Sequence, residues 1–577
     1  MNKNLSYSIK GVIGCLILTS LTTGCLREEG DIIPGGGATT PASSYVSLSF
    51  ITPPQVSTKA NPNGGENGDG TEAGQDYENA ITSVAAFFYK GNVNSEGTTR
   101  VLATATFNTV HYTTGATGID RVYTTAAQQI NLDNGEYNVI VVANPGSDWW
   151  SNRTLTLADV RDHIQTQAWT TTGTEYSDFV MTSAGDATLT LASNPENDPA
   201  KVTVNVERMA ARLDYQAQAS YTCTDEQYPG ATVEITGAAL VNNLTAGSYL
   251  IKRVANDVNG TNLSYLGDET PESGIQTNYV IDPWTAAKTA NNNSFTVNGV
   301  AEQPASALYG TWFGNKSDDP NWWAGYVQPG TAVTSGGETW QRIGYTLENT
   351  TAAGETGSRY NTGVVFKAKF HPQGVANYRD GSTFFALGNH IFASMEDMMT
   401  YVYGADFTQF DNKIDACASW TDLKTFAASL LDNDPSGYKT FLQGQDDTQD
   451  FNTVKANLTW KAYMLSTCGY GAGMDGANYK VTLDQNGIVT RNALQPFGVR
   501  TYEDATCYYT WWVRHSNDNN DNSNGIMEYA IVRNNIYKLT VTSIYSLGDE
   551  VPGEDKNIIL DVYVNDWLLL DPETLPM

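Results

Sequence analysis

Alternation of apolar and polar residues is the clearest regularity in this chain, and it first appears at Ser44–Ile51. There Val46, Leu48 and Phe50 alternate with Ser47 and Ser49. A period of two puts one set of side chains on one face, so the run predicts a half-buried strand. Pro53-Pro54 stops it, and about Gln55 to Asp76, rich in Asn, Gly and acidic residues, predicts a linker. The stretch before it, Leu26 to about Ser43 with Pro34-Gly35-Gly36-Gly37, reads as a tether. One good strand thus hangs between two turn-rich segments.

β-Branched and aromatic runs then crowd in at Ile81–Tyr89, Arg100–Asn108, Tyr137–Ala143, Asp186–Leu191 and Val202–Val206. They return at Ala231–Leu240, Gly363–Phe370 and Tyr529–Ile544, with Gly, Asn or Asp between many of them. That spacing predicts a mainly β protein, sandwich or barrel. Between about Thr383 and Lys461 the texture changes: Met395-Glu396-Asp397-Met398-Met399 and Leu423–Leu431 read as short helices, a helical insertion in a β domain. Near the end, Ile558, Leu560, Val562 and Val564 alternate within Asn557–Leu570, and Trp567-Leu568-Leu569-Leu570 follows. Gly548, Pro552 and Gly553 mark Leu547–Lys556 as a hinge ahead of that strand.

The first residues have a different character. Lys3 and Lys10 precede an apolar run from Gly11 to about Leu21, too short to span a bilayer comfortably, which ends in Thr22-Thr23-Gly24-Cys25. This resembles a bacterial lipoprotein signal, residues 1–24, with Cys25 as the lipidated residue; Thr22 stands where the usual pattern has Leu. Glu28-Glu29 resembles the export signal that follows such cysteines in Bacteroidota. A lipid on Cys25 would anchor the precursor to the outer membrane.

Composition narrows the partners. The 577 residues carry a formal net charge of −30, with the 33 Lys and Arg scattered. A phosphate backbone is repelled by such a field, so no nucleic acid is expected. Forty per cent apolar content with 32 Tyr, 18 Phe and 13 Trp suffices for a large core. Of six cysteines, Cys223, Cys417, Cys468 and Cys507 stay once Cys15 leaves with the signal and Cys25 takes lipid. They show no CxxC spacing, so no zinc site is expected, and one or two disulfides remain permitted.

Chemistry-bearing motifs are scarce. The five histidines, His111, His163, His371, His390 and His515, form no HExxH pair. There is no GxSxG elbow and no phosphate-binding GxxxxGK[ST] loop. The Asp/Asn-rich run Asn517–Gly525 fails the EF-hand pattern because Ser523 stands where Gly is required, and it reads as a solvated loop. No cofactor or metal is expected, and the chain is not expected to be an enzyme. The doublets Trp149-Trp150, Trp322-Trp323 and Trp511-Trp512 could line a sugar platform; strand alternation instead puts one ring of each in the core and the other at a rim.

Several longer segments together resemble one family. Val139-Ile140-Val141-Val142-Ala143-Asn144-Pro145 and Val206-Glu207-Arg208-Met209-Ala210-Ala211-Arg212-Leu213 are similar to the first domain of Bacteroidota fimbrillins, the type V pilins. Tyr345–Thr350, Ala386–Phe392, Tyr508–His515 and Met527–Tyr537 are similar to their second domain. Within the family the shaft subunits of short fimbriae are the nearest in pattern.

The resemblance implies two β-sandwich domains of transthyretin-like, Greek-key type. These would be residues 60–215 and 216–577, the second holding the helical insertion at about 383–461 and a donor-strand tail at about 557–570. It implies a lipoprotein precursor cut by a trypsin-like protease in the linker behind the first strand. Lys59-Ala60 is the basic position there, where the family more often has Arg. Residues 25–59 would leave as a propeptide carrying the removable strand with Val46, Leu48 and Phe50. A neighbour's strand, with Ile558, Leu560, Val562, Val564, Trp567, Leu568, Leu569 and Leu570, would fill the groove. Expected partners are other fimbrial subunits in shaft, anchor and tip, the processing protease, and host or bacterial surface receptors in adhesion and biofilm formation. A surface glycan-binding lipoprotein using the Trp doublets, or an anchor or tip subunit, is the alternative.

Overall fold

A computed structural model describes residues 43–51, 69–114, 121–255, 263–265, 279–290, 296–297, 300–301, 313, 326–335, 337–350, 361–404, 409–468, 494–515, 528–553 and 557–568. The fold is mainly β, as the patterning predicts. Chain order begins with two strands that finish in different sheets, β1 (Ser43–Ile51) and β2 (Asp69–Ala73).

β1 is an interior strand of a ten-stranded sheet. On one side it pairs antiparallel with β3 (Arg121–Thr125) and β4 (Gln128–Asn131). On the other it runs parallel to β5 (Ala200–Arg208), from Val46 opposite Ala200 to Ile51 opposite Asn205. Beyond β5 the sheet continues through Met181–Ser183, Gly135–Ala143, Val84–Tyr89 and Ala103–Phe107. On one face Val46, Leu48 and Phe50 meet Val139, Val141, Val202, Val204 and Val206 in one cluster, and on the other Phe87, Ile140 and Val142 pack into a second. Alternation explains the strands: Val202, Val204 and Val206 are buried while Lys201, Thr203 and Asn205 face solvent.

The chain leaves this sheet at Met209-Ala210, both fully buried. β6 (Ala211–Gln216), β7 (Glu338–Thr346), β8 (Asn535–Ile544) and β9 (Ile558–Leu568) build the second sheet. Its order is β2-β9-β8-β6-β7, closed at the far edge by Thr331–Ser335. It faces a four-stranded sheet of Tyr221–Thr222, Thr232–Val241, Gly363–His371 and Thr506–Trp512. Leu213, Tyr215 and Val562 from one layer meet Val364, Phe366 and Tyr509 from the other, a sandwich core.

Two expectations are corrected. The supposed linker to Asp76 contains β2 and the short helix Asp76–Asn79. β2 has no alternating apolar face, so its signal lay in backbone pairing and one carboxylate rather than in hydropathy. The run Tyr529–Ile544 becomes a strand only at Asn535, because Asn534 adopts a left-handed φ of 58° that interrupts extension.

The insertion between Gly363–His371 and Thr506–Trp512 opens on the hairpin Phe384–Leu387 and His390–Phe392. Helices Met395–Tyr403, Gln409–Ala416, Trp420–Ser429, Tyr438–Gln443, Phe451–Val454 and Trp460–Cys468 follow. Ser394 and Ser419 cap two of them by accepting from the Asp397 and Asp422 amides. Met398, Met399, Leu423, Trp460 and Met464 give this insertion its own core.

Since Phe50 is fully buried, Phe50→Ala should destabilise the uncut chain by about 3–5 kcal/mol. The readout is a lower urea midpoint; an unchanged midpoint would mean that β1 carries no part of the first core.

Candidate functional site

The sequence points to the two ends of the chain, so the site is built from β1, β9 and whatever holds them. β1 is seated on both sides. Ser47 Oγ donates to the Thr125 carbonyl at 2.9 Å, and the Leu48 amide donates to Thr125 Oγ1 at 3.0 Å. The Tyr45 amide reaches the Asn194 carbonyl at 2.9 Å, and Ser44 Oγ accepts from the Asn194 amide at 3.2 Å. Val46, Leu48 and Phe50 fill the core face beneath. Each such side chain contributes about 1.5–3 kcal/mol of burial. Without β1 the edges of β5 and of β3 and β4 would stand unpaired over an open apolar groove.

β9 occupies a place in its own sheet. It pairs antiparallel with β8 from Asn535 opposite Asp566 to Ile544 opposite Ile558, with one irregularity at Val541/Ser543. On its other side β2 runs parallel over the last residues only, from Asp69 opposite Val564 to Ala73 opposite Leu568. Ile558, Leu560, Val562 and Val564 are buried in the sandwich core. Ile559 and Tyr563, on the opposite face, are exposed. The proposed hinge is pinned at its start, where Asp549 and Tyr508 exchange backbone hydrogen bonds of 2.8 and 2.9 Å. Gly548 fits there because a Cβ would meet the Tyr508 carbonyl oxygen at 2.5 Å.

Trp567 belongs to the first core, not the second. Its ring stacks on Tyr345 with centroids 5.9 Å apart, and the Arg208 guanidinium lies 4.6 Å from its centroid. Arg208 Nη1 also donates to the Trp567 carbonyl at 3.0 Å, and the Trp567 amide donates to the Asn534 carbonyl at 3.0 Å. The tip of the last strand is thereby tied to the end of β5, next to the crossing at Met209-Ala210.

Sequence reasoning missed this junction. Arg212, fully buried, meets three carboxylates: Glu72 of β2, Glu78 of the short helix at 2.9 Å, and Asp214 at 2.8 Å. Lys538 of β8 pairs with Glu72 at 2.6 Å. Tyr345 donates to Glu78, and Arg208 donates to Asn79. Burial lowers the basicity of Arg212, but Asp214, Glu78 and Glu72 outweigh it and raise its pKa well above the ordinary value. Burial pushes the Asp214 carboxyl up against the pull of Arg212. Burial pushes Glu72 up as well, yet Arg212 and Lys538 leave it below its usual value. The available signal was two arginines, Arg208 and Arg212, on either side of the apolar run Met209-Ala210-Ala211, since an arginine is rarely buried without partners.

Other expected features fall as follows. Trp150 and Trp512 are buried, while Trp149 and Trp511 are half-buried; Trp149 stacks on His163 at 4.0 Å between centroids and also on Phe87. Cys223, Cys417 and Cys507 are buried free thiols, and burial pushes Cys507 up to about 12. Cys25, Lys59, Ala60, Trp322, Trp323, Leu569, Leu570, the run 517–525 and the side chains of Leu568 and Cys468 lie outside the described residues.

Comparison with known proteins covers the first sheet after β1 and the last strands. Residues 55–208 match the family model described as major fimbrial subunit protein (FimA). Residues 500–571 match the model for the C-terminal part of fimbrillin, a major fimbrial subunit protein type IV. No curated protein matches the chain. Among solved structures, a Parabacteroides distasonis protein provisionally assigned to cell adhesion aligns at 11% identity, covering 91% of this chain and 100% of its own, with a TM-score of 0.36. A fimbrilin from Porphyromonas gingivalis aligns at 12% identity over 92% and 99%, with a TM-score of 0.29. The tip fimbrial protein Mfa3 from Porphyromonas gingivalis aligns at 9% identity over 91% and 100%, with a TM-score of 0.30.

Removing one member of a buried ion cluster leaves its partners uncompensated, at about 3–5 kcal/mol. Arg212→Met should therefore lower the urea midpoint more than Phe50→Ala does relative to the side-chain volume removed. A midpoint within error of wild type would show that the junction is not a stabilising contact.

Proposed function

We propose that this chain, with fimbrial-subunit signatures at both ends, is the precursor of a structural subunit of a cell-surface fimbria. In this reading it is exported with lipid on Cys25 and cut after Lys59 by a trypsin-like protease. β1 then leaves, and the β9 of a neighbouring subunit enters the groove. Main-chain ladders on both sides fix the incoming strand, and alternate side chains fill the pockets of Val46, Leu48 and Phe50. A contact running from one copy's last strand to the next copy's first sheet does not close on itself, so it propagates as a filament.

The observation that carries this reading is the seat of β1. It is a full interior strand with a buried apolar face, yet the whole segment 52–68 separates it from the next strand in the chain. One cut in that segment detaches it from the rest of the protein. β9 has the matching alternation in Ile558, Leu560, Val562 and Val564, worth roughly 6–12 kcal/mol gross at about 1.5–3 kcal/mol per side chain. It leaves a comparable burial behind at home, so the exchange is close to balanced and small terms decide its direction. Adhesion through other fimbrial subunits and surface receptors belongs to the same reading, with no catalytic role.

Limited trypsin treatment of the purified precursor should produce filaments or ladders by electron microscopy and gel electrophoresis. Lys59→Gln should block them while leaving the urea midpoint unchanged. Persistent monomer after clean cleavage at Lys59 would sink the reading. Subunits isolated from cells should begin at Ala60; an N-terminus at lipidated Cys25 would assign the chain to an anchor role instead.

A further inference from the structure

We propose that β2 is a latch that holds β9 in its own subunit, so that one cut between β1 and β2 loosens the donor strand as well as opening the groove. This rests on the strand-exchange reading above and adds a regulator to it.

The sheet order is β2-β9-β8-β6, so β9 lies between β2 and the rest of its sheet. Glu72 of β2 reaches past β9 to ion pairs on both strands beyond it, Lys538 of β8 and Arg212 of β6. The strap therefore crosses the strand it retains. Five parallel pairings, from Asp69 opposite Val564 to Ala73 opposite Leu568, hold the same end of β9 that carries Trp567. Without β2, that end would become a sheet edge.

The grip is also of a releasable kind. Asp69-Gly70-Thr71-Glu72-Ala73 contributes no large apolar side chain, so the ladder and one carboxylate do the holding. In the uncut chain β2 is tied at both ends, through residues 52–68 to β1 in the first sheet and through Gly74-Gln75 to the helix Asp76–Asn79. A strand held at both ends recloses at high effective concentration whenever it opens. After cleavage at Lys59 and loss of β1, only one tie remains, and chain termini fray. The cut thus acts on groove and donor together, and an uncut subunit neither accepts nor donates.

The test is a pair of reversible crosslinks in the full-length precursor. A Cβ on Gly70 would lie 2.6 Å from Asn565 Oδ1, so Gly70→Cys with Asn565→Cys joins latch to donor. Thr540→Cys with Asp561→Cys, directly paired across β8 and β9 and both half-exposed, joins the donor to its own sheet as a control. Both oxidised variants should be cut by trypsin at the wild-type rate yet form no filaments, and reductant should restore wild-type yield. If the oxidised latch variant assembles while the control is blocked, the latch is overturned and strand exchange stands. If the latch variant is blocked but the control assembles, β9 is not the donor, and the latch and the underlying reading fail together. If both assemble while oxidised, β9 is not the donor and the underlying reading fails.

Discussion

A buried guanidinium has to be met by fixed partners, and at Arg212 that requirement gathers the molecule. Three carboxylates from β2, the short helix and β6 itself converge on it, and Arg208 four residues earlier draws in Asn79 and the Trp567 carbonyl. Those groups come from both ends of the chain and from the crossing between its two cores. Uncompensated, the charges would oppose folding by several kcal/mol. Compensated, they fix which segments must lie together at the junction, a matter of specificity more than of raw stability. The apolar residues Tyr345, Ile536 and Trp567 of the later chain enter the first core at the same place.

Sequence legibility followed the physics of each element. β1 and β9 were readable to within a residue or two because their signal is local: Val46, Leu48 and Phe50, or Ile558 to Val564, alternate in plain view. The first helix of the insertion was readable for a similar reason, with Met395, Met398 and Met399 at helical spacing behind a Ser394 cap. β2 was not, because what makes it a strand is the far end of the chain. Nothing within Asp69–Ala73 announces Val564–Leu568 as a partner. The junction stayed hidden for the same reason, although Arg208 and Arg212 stood inside a segment already recognised as similar to fimbrillins. Long-range ion pairing leaves only an odd charge in an apolar run. The seat of β1 between β5 and the β3–β4 pair was legible as a strand but not as a position, since hydropathy does not choose neighbours.

The two ends of the chain face the same energetic situation. Each is a strand with one buried face, a second face near solvent, and a strand on each side over at least part of its length. Under the strand-exchange proposal, an incoming β9 would gain in the groove about the burial that it gives up at home. β2, held by its ladder and Glu72, brings no large apolar side chain to the sheet. The insertion has a separate core around Met398 and Trp460.

The seat of β1 has a mechanical corollary. A strand flanked on both sides and pulled along its own axis loads all of its ladder bonds at once, whereas a strand at an edge or pulled from one end opens them in succession. Whatever occupies the slot between β5 and the β3–β4 pair resists traction by sliding, with Ser47 and Leu48 locked to Thr125 near its middle. Tension along that axis would break the occupant free only when the whole register fails together, so a fibre jointed at this slot would behave as a rope and not as a zip.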